Sequence, residues 1–188
     1  MIDIITCLLH EDLLKHSIKA EISGRIKEPE SILRKIIRKE TTLEQLTDLI
    51  ALRVIVADKK ECYKVRDIIY KLYNVDLQKS KNFIDDPKEN GYQSLHIVTE
   101  INPYKRKIEI QIRTAEMHKQ AETGKSAHWQ YKFENEEKFQ KISSDSILLR
   151  KVYEAIKQNN CTENDLLAYE EALRATLNYM VCHIQDEL

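Results

Sequence analysis

Residues 107–114 read Lys-Ile-Glu-Ile-Gln-Ile-Arg-Thr. Ile108, Ile110 and Ile112 fall on one side of an extended chain, and Lys107, Glu109, Gln111 and Arg113 on the other. That two-residue period predicts a strand with one face in a core and one carrying charge. Upstream, Leu-Ile-Ala-Leu-Arg-Val-Ile-Val-Ala (49–57) is a nearly unbroken apolar, β-branched run of the kind found in buried strands. Gln-Ser-Leu-His-Ile-Val-Thr-Glu-Ile (93–101) predicts a third strand, with a turn at Asn102-Pro103 before the 107–113 strand.

Helices fill the spaces between. Residues 3–21 predict an opening helix, and 29–40 a second with Pro29 in its first turn, where a missing N–H costs nothing. Asp58 opens a helix to about Tyr73, with Glu61 three residues on in a variant of the capping box. The stretch 75–92 offers a short strand and then a polar loop. Thr114 caps a helix running to about Lys132, and the remainder reads as helical. The expected fold is α/β or α+β, a mixed sheet flanked by helices with a helical C-terminal extension. The expected division is an N-terminal helix (1–21), a central sheet domain (22–135) and the extension (136–188).

Composition narrows the function. The 188 residues carry 30 Lys and Arg against 31 Asp and Glu, so a grip on long nucleic acid over the whole surface is disfavoured, and no stable nucleic-acid partner is expected. Any anion site must be local. Cys7, Cys62, Cys161 and Cys182 form no C-x-x-C pair, which argues against a disulfide framework or a zinc site. No run is long and apolar enough for a bilayer and no secretion signal opens the chain, so the cytoplasm is the expected location.

Four clusters could carry chemistry. Arg25 and Lys27 precede the 29–40 helix, and Ser31 and Lys35 share one of its faces; the helix N-terminus adds free N–H groups that favour phosphate. The same residues also fit a solvated basic face. Asp48, just before a buried strand, and Glu109 on the charged strand face form a carboxylate pair of the type Mg²⁺ uses; a strand-end aspartate and a solvent-facing glutamate describe them equally well. Lys79, Lys81 and Lys88 flank a loop in which Tyr92 offers a flat ring for a base and Gly91 permits a turn. An ordinary polar loop with a half-buried tyrosine fits too, and His96 fits a hydrogen-bonded strand residue. His118 and His128 are ten apart, which is not the spacing of a helical metal pair.

Taken in order, the strings ISGRIKEPESI (22–32), DLIALRVIV (48–56), NGYQSLH (90–96), EIQIRTAEMH (109–118) and AETGKSAHWQYK (121–132) closely resemble the synthetase domain of the RelA/SpoT family. The resemblance implies a nucleotidyltransferase-like mixed sheet and an enzyme that moves the β,γ-pyrophosphate of ATP to the 3′-hydroxyl of GDP or GTP. It implies Arg25, Lys27, Ser31 and Lys35 on the ATP side, and Lys79, Lys81 and Lys88 around the transferred phosphates. It further implies Asp48 and Glu109 as Mg²⁺ ligands or, for Glu109, as the base. Tyr92 would stack on guanine, with Asn90, His96 and Gln111 on the acceptor side. Where many relatives with a basic loop begin it with Arg and end it with Asp, this chain has Lys79 and Asn82. The chain has no His-Asp dipeptide of the family's hydrolase domain, so a stand-alone small alarmone synthetase is the expectation. The resemblance also favours a homo-oligomer, a tetramer being one form. An apolar stripe at Leu166, Tyr169, Leu173, Leu177, Met180 and Ile184 fits either a subunit interface or packing within the chain. Toxin-type relatives that pyrophosphorylate tRNA ends or adenine nucleotides, and a non-catalytic nucleotide sensor, are the alternatives.

Overall fold

A computed structural model describes residues 1–39, 41–101, 106–123, 147–158 and 161–185. The chain divides into two compact units, a sheet unit (3–25 and 47–131) and a helical unit (1–2, 26–46 and 132–188).

The sheet unit starts with α1 (Ile2–Lys15), which buries Ile5, Leu9 and Leu13. This helix is shorter than the expected 3–21. Ser17 N–H donates to the Leu14 carbonyl at 2.9 Å and Ile18 N–H to the Leu13 carbonyl at 3.0 Å. Ser17 itself takes a left-handed φ of 59°. These bonds are a Schellman stop in which serine stands where glycine usually does, so the sequence carries no glycine to announce it. The chain then enters a strand that the sequence did not predict, β1 (Glu21–Ile26).

Next come β2 (Ile50–Val56), α3 (Lys59–Leu72), β3 (Asn74–Asn82), β4 (Leu95–Ile101), β5 (Arg106–Thr114) and α4 (Ala115–Thr123). The five strands lie in the order β1-β2-β5-β4-β3. β2 runs parallel to β5, while β4 is antiparallel to both β5 and β3, so the sheet is mixed as expected. The predicted turn at Asn102-Pro103 and the part of the 114–132 helix beyond Thr123 lie outside the described residues.

Register explains how one face becomes core. Leu52 is the partner of Ile110 and Val54 of Ile112 across β2 and β5. Leu95 and Ile97 extend the same rows onto β4. All six side chains are buried. Cys62, Val65, Ile68 and Ile69 of α3 are buried as well, and α3 packs on β2, β3, β4 and β5. Each fully buried Ile or Leu contributes roughly 1.5–3 kcal/mol from the hydrophobic effect. Helix α3 begins as its sequence suggests: Asp58 Oδ1 accepts from Glu61 N–H at 2.8 Å. The Glu61 carboxylate accepts from Ala57 N–H at 3.2 Å, one residue before the cap, which makes the capping box a variant form.

β3 is longer than expected because it is irregular. Its register against β4 shifts between Asp76 and Lys81. The Ser80 hydroxyl fills the gap, donating to the Asp76 carbonyl at 2.8 Å and accepting from Val98 N–H at 3.1 Å.

The helical unit contains α2 (Pro29–Lys39), α5 (Ile147–Gln158) and α6 (Glu163–Gln185). Its core includes Ile32, Leu33, Leu149, Leu166, Tyr169 and Leu173. Tyr169 donates its hydroxyl to the Lys27 carbonyl at 2.9 Å and packs its ring 5.9 Å from that of Tyr153. The first part of the α6 stripe is therefore engaged within its own chain. The Met180 and Ile184 side chains lie outside the described residues.

Candidate active site

The charged face of the sheet is built by the same register that builds its core. Arg53 on β2 pairs with Gln111 on β5, Gln111 with His96 on β4, and His96 with Lys81 on β3. Partners across a ladder point to the same face, so these four side chains form one row across four strands. Two residues along each strand, Ala51, Glu109 and Val98 form the next row of the same face.

A hydrogen-bonded chain runs over this face. The Tyr92 hydroxyl lies 2.8 Å from His96 Nε2, and His96 Nδ1 lies 3.3 Å from Glu109 Oε2. Gln111 Nε2 donates to Glu109 Oε1 at 2.7 Å, and an Arg113 NH2 donates to Gln111 Oε1 at 2.8 Å. The Arg113 guanidinium lies 5.9 Å from the Tyr92 ring centroid, so the chain of contacts closes on itself. Burial raises the Tyr92 phenol above its ordinary value, against the opposing pull of Arg113. Burial lowers the Arg113 guanidinium, with Tyr92 acting the other way.

The loop before β4 delivers Tyr92 to this face. Gly91 takes a φ of +78°, and its N–H donates to the Lys88 carbonyl at 2.7 Å. A side chain there would be strained whatever the space around it, so the expectation that Gly91 serves a turn holds. Asn90 accepts from Tyr92 N–H at 3.2 Å, an Asx turn that shapes the loop. Lys88 Nζ sits 4.9 Å from the Tyr92 ring centroid and 4.7 Å from that of Phe83. Lys81 is exposed in the row beside His96, and Lys79 is exposed within the β3 irregularity.

Beside this chain is a cavity of about 120 Å³ lined by Ser23, Gly24, Arg25, Arg53, Gln111 and Arg113, among others. Three guanidinium groups around one small opening make it a place for a planar base or for phosphate oxygens. Glu122 also lines it, 3.6 Å from Arg53, and His118 Nδ1 is 3.7 Å from the same carboxylate oxygen. Burial lowers the His118 pKa, and Arg53 and Arg113 lower it further. His128 lies outside the described residues, so the His118–His128 spacing finds no structural counterpart here.

Asp48 lies two residues before β2 and is 7% exposed. Since β2 and β5 are hydrogen-bonded neighbours with Ala51 level with Glu109, Asp48 leads into the strand alongside Glu109's own. Among the described residues no group of three or more His, Cys, Asp or Glu side chains could hold a metal. Asp48 and Glu109 are both hard oxygen donors, the ligand type that Mg²⁺ takes together with waters and phosphate oxygens. In the helical unit, Ser31 and Lys35 lie one turn apart on α2 and Lys27 precedes it, its backbone carbonyl taken by Tyr169.

Sequence reasoning gave no role to Arg53, Arg113 or Phe83. Signals existed for the two arginines. Arg53 is the one charge in an apolar strand, and Arg113 shares the alternating face of Glu109. Phe83, edge-on to His96 at 5.1 Å and to Tyr92 at 6.2 Å, had none.

A five-stranded mixed sheet flanked by helices is the fold of RelA/SpoT-type synthetases. The sequence profile described as "Region found in RelA / SpoT proteins" matches residues 24–136, and the chain belongs to that family. A GTP pyrophosphokinase of Myxococcus xanthus is 41% identical over 128 residues, 68% of this chain and 17% of that protein. The GTP pyrophosphokinase of Escherichia coli K12 is 37% identical over 124 residues, 66% of this chain and 16% of that protein. This chain thus spans about a sixth of the length of these relatives. Among solved structures, the small alarmone synthetase 1 of Bacillus subtilis bound to its product pppGpp aligns with a TM-score of 0.57 at 20% identity, covering 99% of this chain and 91% of that one. A GTP pyrophosphokinase family protein of Streptococcus pneumoniae aligns at 0.54 and 21%, covering 99% and 88%. Both likenesses establish the fold. Among the described residues no helix is long and apolar enough to cross a membrane.

Proposed function

We propose that this protein is a (p)ppGpp synthetase that transfers the β,γ-pyrophosphate of ATP to the 3′-hydroxyl of GDP or GTP and releases AMP. The observation that carries the reading is the linkage of Tyr92, His96, Glu109 and Gln111 into one hydrogen-bonded chain on a single sheet face. These are the residues that the family motifs assign to the acceptor and to the chemistry.

In this reading the guanine base stacks on Tyr92 and displaces the flexible Lys88, whose ammonium follows to the phosphates. Asn90 keeps the loop closed, and His96 and Gln111 hold Tyr92 and Glu109 in place. The ATP base enters the cavity between Arg25 and Arg53, where guanidinium planes can stack on it. Lys79 and Lys81 gather the triphosphate, and the family motifs assign Lys27, Ser31 and Lys35 of the helical unit to ATP as well. The acceptor oxygen attacks the β-phosphorus in line: the O3′–Pβ bond forms, the bond from Pβ to the α,β-bridging oxygen breaks, and that oxygen leaves on AMP. Glu109 accepts the hydroxyl proton. Asp48 and Glu109 would hold Mg²⁺, which when bound supplies neutralising charge at the phosphate oxygens. The rest is positioning and electrostatics. We place the protein in the cytoplasm, where ATP and guanine nucleotides are both at hand, and infer a homo-oligomer using the C-terminal part of α6.

Incubation with γ-labelled ATP and GMP, GDP, GTP, ADP or tRNA in turn tests the proposal. Label is expected on GDP or GTP with AMP released; label on ADP or tRNA alone, or on nothing, overturns it.

A further inference from the structure

Arginine is almost never fully buried unless paired, yet Arg113 is 5% exposed. Among the described residues its one hydrogen bond runs to the neutral amide of Gln111, and its Nε is buried with no acceptor. Such a charge is costly to keep for packing alone.

A guanidinium has no acceptor, so the Gln111 atom 2.8 Å from Arg113 must be the carbonyl oxygen. The NH2 of the same amide is then turned to Glu109 Oε1, at 2.7 Å. The opposite amide orientation would set donor against donor at Arg113 and oxygen against carboxylate at Glu109. Arg113 therefore dictates which end of Gln111 meets Glu109. With Oε1 so engaged, Oε2 of Glu109 is left to His96 Nδ1, and His96 Nε2 to the Tyr92 hydroxyl. Through its contact with the Tyr92 ring at 5.9 Å, Arg113 also touches the far end of this chain.

We propose that Arg113 is a positioning residue of the acceptor site: by fixing the Gln111 amide it sets the Glu109 carboxylate, and by lying over the Tyr92 ring it sets the base platform. This inference rests on the synthetase reading above. Lysine could not replace it, because an ammonium lacks the planar fork that reaches Gln111 and the ring together.

The test is GDP affinity, measured by calorimetry without ATP, for the whole chain and for Arg113→Lys, Arg113→Met, Gln111→Met and the Arg113→Met/Gln111→Met pair. Loss of a charge-assisted hydrogen bond should weaken GDP by at least ~10-fold in both Arg113 variants. In the Gln111→Met background, Arg113→Met should cost less than it does alone, since only its contact with the Tyr92 ring then remains to be lost. Acceptor KM should rise by a larger factor than ATP KM. Wild-type-like GDP binding in Arg113→Lys, or losses that multiply in the double variant, overturns the inference while leaving the synthetase reading intact. Should Arg113→Met fail to fold, Arg113→Lys with native circular dichroism and a cycle against Gln111→Met decides in its place. A wild-type chain that binds no GDP overturns the reading and the inference together.

Discussion

Tyr92 and His96 stand four residues apart, their rings nearly perpendicular at 81° and the phenol oxygen 2.8 Å from Nε2. Tyr92 thus has its polar end tied down and its ring left for contact. Two substitutions separate these roles. Tyr92→Phe removes only the tie and should weaken GDP less than ~10-fold, the reach of one neutral hydrogen bond. Tyr92→Ala removes the platform and should cost about 1–3 kcal/mol of acceptor affinity. Equal affinities for wild type and Tyr92→Ala would remove the stacking role.

Asp48→Asn and Glu109→Gln keep volume and lose charge. Each should leave a folded protein and lower kcat by at least ~10²-fold, because in the proposed reaction a metal ligand and a base act mainly in the transition state. Steady-state turnover with a melting curve on the same samples checks both halves of the claim.

The sheet unit should carry an acid-sensitive tie. Tyr73 donates its hydroxyl to Asp12 Oδ2 at 2.5 Å, and Lys15 lies 3.0 Å from Oδ1. Burial opposes ionisation of Asp12, but these two partners outweigh it and hold its pKa below the ordinary 3.8. A carboxyl depressed on folding stabilises above its unfolded pKa, and the contribution disappears as pH falls through the folded value. Urea unfolding should show Asp12→Asn less stable than wild type near neutrality, with the gap closing below about pH 4. A gap independent of pH would exclude the mechanism.

In the helical unit, Tyr169→Phe deletes the donor to the Lys27 carbonyl and should cost about 0.5–1.5 kcal/mol. Burial raises the Tyr169 phenol strongly, so the hydroxyl stays protonated and the loss should not vary with pH below 9. ATP KM should rise, since that carbonyl is Lys27's own.

The parts of this protein legible from sequence are those where one physical period dominates. The isoleucines of β5 announce a core face, and Asp58 with Glu61 announces the start of α3. β1 was hidden because Ile18, Lys19 and Ala20 before it and Glu21 at its start keep helical character, and the stop is made by Ser17, not glycine. β3 blurred because its outer residues are exposed and a bulge breaks the alternation. At the site, motif order supplied the residue names but not their connections. That Gln111 links Arg113 to Glu109, or that Phe83 lies edge-on to His96, depends on pairing between strands that no local pattern encodes.

Among the described residues β3 is the outermost strand on its side of the sheet, and such a strand offers unsatisfied backbone groups to any other chain. The Ser80-plugged irregularity and the lysines at 79 and 81 spoil that template, one by shape and two by repulsion. The residues assigned to gathering phosphate therefore also guard the protein against sticking to itself through this edge. Neutralising them should bring turbidity at high concentration as well as slower turnover.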